Sequence, residues 1–581
     1  MTAPDTGSTV LRLPEALRAT VEGAIERSVA EGWTRRLWMQ DATLWTADPA
    51  VAASIGQRLG WLSAPSLFTD EIAELTAFAA TIRDEGFTDV IVAGMGGSSL
   101  APEVLASVYP LSEHGLNVYV LDSTDPAAIA DVEAVTDPGT TLRIIATKSG
   151  TTTETLAFHA HFWEAEWHRM GILHRHKAGL SFVAVTDPGK SLEAIPHAEE
   201  FRETFLNPAD VGGRYSALTY VGLVPAALLG LDLESLVADA REAVVRCQRP
   251  DATNPGVTLG AALGALALAG RDKLTFVIEP DLAPLGAWLE QLIAESTGKQ
   301  GKGIVPVDGE TLAEPAVYGQ DRVFVRLGRT VATDWRAETD PLIDALAAAG
   351  HPVIELPLEG DDWVGSEFLR WEVATAIAGA VLGVNPFDEP NVTESKENTA
   401  AVLAGFARDG HLPTDTTLVA GGALRLVGDP GLAAAGTPAD VAAGLRAHLA
   451  RVPANGYHAI CAYVARTPDR EDALRDLQDL LRDRTGKATT LGFGPRFLHS
   501  TGQLHKGGAP IGCFLQLVAG HPSDLPIPGR KETFGTLIDA QALGDLQALE
   551  SHGLPVLRVH LGDDPDAGIA ELTAALAAAL A

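Results

Sequence analysis

From Asp89 onward the chain alternates short, unbroken apolar runs with longer stretches in which apolar residues recur at helical spacing. The first runs are DVIVAG, NVYVLDS, TLRIIATKS and LSFVAVTDP. They lack the apolar–polar alternation of a sheet with one wet face, so they predict parallel strands covered by helices on both sides. A second series (KLTFVIEP, RVFVRLG, HPVIELPL) alternates with helices predicted near 257–269, 284–296, 338–349 and 366–382. A third (TTLVAGG, YHAICAYVA, KATTLGFG, CFLQLVAG, LPVLRVHLG) alternates with helices at 469–484 and 533–552. Ahead of these the pattern is helical: Leu13–Gly32 is amphipathic, and Arg35–Leu59 carries Trp38 and Trp45, which read as packing residues. The stretch between Glu199 and Gly213 reads as a loop, Tyr215–Leu231 as a buried helix, and the Ala-rich pieces 433–450 and 566–581 as surface helices. The expected organisation is a helical N-terminal region (1–85), two three-layer α/β domains with parallel sheets (86–235 and 236–400) and a C-terminal α/β region (401–581).

Charge sharpens this picture. The 581 residues include 43 basic and 76 acidic side chains, a net charge of −33. Such a chain repels nucleic acid and anionic membranes, so neither is an expected partner. An anionic substrate would need a locally positive site, which makes each Lys or Arg beside a Gly or hydroxyl loop informative. The three cysteines are too few and too scattered for a disulfide framework or a zinc cluster, and no metal is expected. The first residues have neither a basic n-region nor an apolar h-region, so no secretory signal is expected. The longest apolar run, Val257–Ala269, is short for a membrane span. The expected location is cytoplasmic.

The densest chemistry lies in Ile144–Leu156, IIATKSGTTTETL. A strand end, a turn and a helix start at about Thr153–Thr155 follow one another. Thr147, Ser149, Thr151 and Thr152 offer hydroxyls, Lys148 a charge and Gly150 a bend. The first N–H groups of a helix have no intrahelical partner, so a strand delivering such a turn makes an anion site. A plain N-cap needs one hydroxyl, and six hydroxyl residues in nine positions exceed that need. The strand DVIVAG similarly runs into Met95-Gly96-Gly97-Ser98-Ser99, with a helix expected from about Pro102. It approaches a dinucleotide fingerprint, with Asp122 placed for a ribose, but Ser99 stands where the third glycine belongs. Two strand ends converging on one phosphate is the better reading.

Four further stretches carry candidate groups. Gly212-Gly213-Arg214 pairs backbone freedom with a permanent cation, against the plainer reading of a loop Arg beside Asp210. Gln291 and Glu295, four apart, share a helix face, and Glu295 sits among apolar neighbours that would suit it to general-base work near neutral pH. NPFDEPNVTESK leads through a stiff turn into a helix bearing Lys396, where a lone Lys is ordinarily a solvated charge. GPRFLHSTGQLHKGG concentrates cations, glycines and two imidazoles, His499 and His505, in an otherwise acidic chain.

Together these motifs resemble the phosphoglucose isomerase family. GMGGSSLAP and ATKSGTTTET are similar to its two phosphate loops, VGGRYSALT and EQLIAESTGK to its arginine and glutamate motifs, and NPFDEPNVTESK to its lysine motif. Including DATLWT and GPRFLHSTGQLHKGG, the resemblance extends over nearly the whole chain to the isomerase module of bacterial transaldolase–phosphoglucose isomerase fusions. No eightfold β/α series precedes residue 85, so a transaldolase barrel is not expected. The resemblance implies two sugar-isomerase domains and interconversion of glucose 6-phosphate and fructose 6-phosphate through a cis-enediol, with no cofactor. It implies Gly97, Ser98, Thr147, Lys148, Ser149 and Thr152 around the phosphate and Gln291 placing the substrate. Glu295 would move the proton, Arg214 would stabilise the enediolate, and Lys396 would act near the ring oxygen. The family has a ring-opening histidine between the glutamate and lysine motifs, but here that interval holds only His351, ahead of Pro352. His499 or His505, from within the chain or across a subunit boundary, is the substitute; phosphate contact by His505–Lys506 is the competing role. The family also implies a homodimer. A dual-specificity phosphoglucose/phosphomannose isomerase and a non-catalytic sugar-phosphate-binding regulator are the alternatives, with a nicotinamide dehydrogenase disfavoured by Ser99.

Overall fold

The computed structural model describes residues 8–331, 333–358 and 363–581. Three sheets organise them, each with helices on both faces. The first has the order Asn117–Leu121, Asp89–Gly94, Thr141–Thr147, Phe182–Thr186, Glu203–Leu206, and every pairing is parallel. Its three central strands are buried at every position, which is why they read as unbroken apolar runs. The second is Val10–Arg12, Val353–Leu358, Arg322–Arg329, Lys273–Ile278, Val305–Val307, parallel except for the first strand. The third is Val419–Gly421, Leu424–Gly428, Val556–His560, Gly512–Val518, Tyr457–Tyr463, Ala488–Phe493; its first two strands run antiparallel.

Several expectations need correction. The supposed loop between Glu199 and Gly213 contains the edge strand Glu203–Leu206, whose alternating burial gave no apolar run. The N-terminal region is mostly helical, and its one short strand among the described residues, Val10–Arg12, closes the edge of the second sheet. The first helix of the first domain starts at Gly97 and carries Pro102 inside it. The buried helix expected over 215–231 is confined to Tyr220–Leu228, after the short 3-10 turn Gly213–Tyr215.

One apolar core runs from the N-terminal helices through both of the first two sheets. Trp45 and Trp61 are buried in it, and the Trp45 indole donates to the Ala376 carbonyl at 2.7 Å, which makes these aromatics packing residues. The helix Pro255–Leu268, apolar except for Thr258, lies inside this core. Its glycines let it touch Val364–Leu382 backbone to backbone, since a Cβ on Gly260 would fall 2.1 Å from the Ala374 carbonyl oxygen. Among the described residues no helix is long and apolar enough to cross a membrane.

Candidate active site

The parallel strands Asp89–Gly94 and Thr141–Thr147 are neighbours, so their carboxyl ends deliver two loops to one place. After the first, Gly96 adopts a left-handed backbone (φ 55°) and the helix starts at Gly97. Both glycines are sterically required. A Cβ on Gly96 would lie 2.9 Å from the Gln291 amide nitrogen and from the His499 carbonyl oxygen; one on Gly97 would lie 2.1 Å from the Gly213 carbonyl oxygen. The backbone of the first domain therefore closes directly on the arginine loop, the glutamate helix and the C-terminal region.

After the second strand, Thr152 is the N-cap of the helix Thr153–Arg169. Thr147 Oγ1 lies 3.0 Å from Thr152 Oγ1, and the Ser149 and Thr151 hydroxyls are also 3.0 Å apart. The Lys148 ammonium donates to Asp187 at 2.5 Å and to the Ala209 carbonyl at 3.2 Å. Burial lifts the Asp187 carboxyl, with Lys148 opposing it. The N-terminal helix end, the hydroxyls and the tethered ammonium make a local positive site in an acidic chain.

Across the cavity lie a buried guanidinium and a buried carboxylate. Arg214 is buried, and every arm of its guanidinium is held. Nε donates to Ser296 at 2.8 Å, and Nη2 donates to the Pro386 and Asp388 carbonyls at 2.8 and 2.9 Å. Nη1 lies 3.1 Å from both Glu295 and Glu389. Such a cation is fixed before any substrate enters. Glu295, on the helix Leu285–Thr297, is also buried and accepts from the Gln291 amide at 3.0 Å. Burial raises its carboxyl above the usual range, while Arg214 pulls it back. Gln291 also donates to the His499 carbonyl at 2.7 Å.

The C-terminal region supplies the remaining wall. Its loop after Ala488–Phe493 is anchored by Arg496, which bonds Asp122 and Glu103 at 2.6 Å each. Asp122, placed for a ribose in the dinucleotide reading, is thus occupied by an ion pair. Three residues on, the His499 imidazole meets a Glu154 oxygen at 3.0 Å, and the same oxygen accepts from the Gln541 amide at 2.6 Å. Burial would raise the Glu154 carboxyl, but His499 holds it below the usual range. Gln503, fully buried, donates to the Gly298 carbonyl and accepts from the Asn391 N–H at 2.9 and 2.8 Å, tying the ends of the glutamate and lysine helices together.

These elements enclose a cavity of about 310 Å³. Of the residues nominated from the sequence, Gly97, Ser98, Lys148, Ser149, Thr152, Arg214, Gln291, Glu295, Lys396 and His499 all line it. Thr147 sits behind the loop against Thr152. His505 is elsewhere: its ring is buried 4.9 Å from that of Phe514 and 5.9 Å from that of Phe497, and burial drives its pKa well below the usual value. Its neighbour Lys506 is paired with Asp545 at 2.7 Å, both fully buried. Neither meets the cavity, because the helix Gly502–Gly507 turns that face into the C-terminal core. Arg214 pairs with Glu295 and Glu389 rather than with Asp210. Sequence reasoning did not nominate Arg58, Asp187, Ser191 or Glu389, which also line the cavity, nor Glu154 and Gln541 behind His499. Among the described residues no group of three or more His, Cys, Asp or Glu side chains is arranged to hold a metal ion.

Hydroxyl loops at the carboxyl ends of parallel strands, facing a buried Arg–Glu pair, define a protein of the sugar-phosphate isomerase class. The sequence profile of phosphoglucose isomerase matches residues 74–320. A glucose-6-phosphate isomerase of Rubrobacter xylanophilus is 33% identical over 402 residues, covering 61% of this chain and 92% of the relative. Among solved structures, a hypothetical protein of Thermus thermophilus superposes with a TM-score of 0.56 at 26% identity, over 68% of this chain and all of that one. A glucose-6-phosphate isomerase from Chlamydia trachomatis shares the fold at a TM-score of 0.52 and 17% identity, over 68% of this chain and 86% of that one. The chain belongs to the phosphoglucose isomerase family.

Proposed function

We propose that the chain is a glucose-6-phosphate isomerase, interconverting glucose 6-phosphate and fructose 6-phosphate through a cis-enediol. The observation that carries this reading is the opposition, within one cavity, of a hydroxyl-rich phosphate cradle and a buried carboxylate beside a fixed guanidinium. Aldose–ketose isomerisation needs one base that takes a proton from C2 and returns it to C1, and a cation for the oxygen that gains charge meanwhile. Glu295, raised by burial yet kept ionisable by Arg214, suits the first role, and Arg214 the second. His499, oriented by Glu154, would open the pyranose ring by moving a proton between the ring oxygen and the C1 hydroxyl, with Lys396 close to the ring oxygen. Ser98, Lys148, Ser149 and Thr152 would hold the phosphate, and Gln291 would seat the sugar against Glu295.

A cytoplasmic location and a homodimer belong to the same proposal, as does the absence of a nucleic-acid partner at a net charge of −33. The test is proton NMR of fructose 6-phosphate with the purified protein in D2O. Conversion to glucose 6-phosphate with deuterium entering at C2 is expected. Silence with this sugar while it still binds would leave a sensor that kept the pocket, and turnover of mannose 6-phosphate beside it would broaden the activity to both epimers.

A further inference from the structure

A second, larger cavity of about 730 Å³ lies in the C-terminal region and shares no residue with the first. It opens against one face of the third sheet, near the carboxyl ends of the parallel strands Gly512–Val518 and Val556–His560, the edge at which open α/β sheets bind ligands. A sheet face covered by helices is ordinarily apolar. This one carries a polar stripe. Gln516 stands opposite Arg558, and Arg425 opposite His560.

Burying a guanidinium on such a face is costly unless its donors are used. Arg558 has a side chain only 7% exposed; its Nε donates to Gln516 at 2.8 Å and its Nη1 lies 3.1 Å from Asp415. Its Nη2 has no hydrogen-bond partner and is sealed from solvent behind the cavity wall. Asp415 is fully engaged: burial opposes its charge, but His560 at 2.8 Å and Arg558 hold its carboxyl down to about 2. Two strands of neighbouring register thus bring Arg425 and Arg558 to the same cavity. Among the described residues the Arg425 side chain makes no ion pair. At the rim, Gly562 has a left-handed backbone (φ 84°), and a Cβ on Gly520 would meet Asp563 at 2.2 Å. The two loops therefore press together and present the Asp563 carboxylate at the cavity edge.

We propose that this cavity binds a phosphate monoester that carries vicinal hydroxyls, with the anion at Arg425, beside the buried Arg558 guanidinium, and a hydroxyl pair at Asp563. Guanidinium donors match phosphate oxygens in pairs, and a carboxylate at a strand's carboxyl end accepts from adjacent hydroxyls. The volume suits a molecule of sugar-phosphate or nucleotide size rather than a lone ion. None of these residues serves the isomerase cavity.

The test is isothermal titration of AMP, and separately of ribose 5-phosphate, into the full chain and its Arg425→Gln, Asp563→Asn and Lys148→Met variants. Arg425 is partly exposed and makes no ion pair, so its variant folds as the parent does, and its turnover of fructose 6-phosphate is expected to be unchanged. At least one probe is expected to bind, with affinity falling about tenfold or more in Arg425→Gln and also in Asp563→Asn, and surviving Lys148→Met. Binding of AMP alone assigns a nucleotide, and binding of ribose 5-phosphate assigns a sugar phosphate. No heat of binding at millimolar probe, binding indifferent to Arg425→Gln, or binding abolished by Lys148→Met would each overturn the proposal.

Discussion

His499 and Glu154 meet at 3.0 Å although 345 residues separate them. Glu154 lies in the first turn of the helix that follows the hydroxyl loop, and His499 arrives from the C-terminal region. The contact joins the hydroxyl-loop helix to an imidazole that lines the cavity. Behind it, Gln541 donates to Glu154 and accepts from the Thr124 hydroxyl at 2.6 Å, so the pair is braced from both sides.

His499→Asn is expected to lower kcat on the cyclic sugar by about 100-fold, the usual worth of a general acid–base group. Glu154→Gln, which keeps a partner but removes the charge, should cost about tenfold and alter the acid limb of the pH–rate profile. His505→Asn should leave that profile in place and instead lower thermal stability by about 1–3 kcal/mol, since it puts an amide among Phe497 and Phe514. Steady-state rates across pH, beside thermal melts of the three variants, separate the roles. A kinetic defect confined to His505→Asn would reverse the assignment.

Glu295→Gln keeps the Gln291 contact and the cavity shape while removing the base. Turnover should drop by about 1,000-fold or more with KM little changed, the signature of an interaction made in the transition state. Deuterium entry at C2 from D2O should vanish with it.

Lys148 is tethered to Asp187 on the hydroxyl-loop wall of the cavity, and in the proposed mechanism it contacts only the phosphate. Lys148→Met should therefore raise KM by about tenfold or more while kcat changes little. Inhibition by inorganic phosphate should weaken by a similar factor.

Glu372 lies in the core helix Val364–Leu382, and burial alone pushes its carboxyl well above the usual range. The folded state then binds a proton that the unfolded chain has released. That stability is fully present below about pH 4.5 and is lost as pH rises through the folded-state value. Glu372→Gln removes the loss. The variant should match the parent near pH 4.5 and gain on it by up to about 1.4 kcal/mol per pH unit above that, measured by chemical denaturation at several pH values. An advantage that does not grow with pH would rule this out.

The strands, and the meeting of both hydroxyl loops at one cavity, were legible because burial on two faces forces unbroken apolar runs, and because hydroxyls in excess of capping need have few other uses. Glu295 and Gln291 were legible as a spacing of four on one helix. Choosing between His499 and His505 was not, since both lie in one short motif. What separates them is a 3-10 turn, Arg496–His499, that ends at the cavity, and a helix, Gly502–Gly507, that faces the Phe514 ring. Glu389 and Asp187 escaped notice for a similar reason: an acidic side chain in an acidic chain carries no signal until a buried Arg214 or a tethered Lys148 is found beside it. The helix at Gly97 was expected five residues late because Pro102 reads as a start, whereas here it sits within the helix.

Arg496 clasps Glu103 and Asp122 of the first domain and so sets the place of His499. During synthesis the loops at 95–99 and 147–152, Arg214 and Glu295 all emerge well before His499. The wall of the cavity is thus finished by a residue made after every other that lines it.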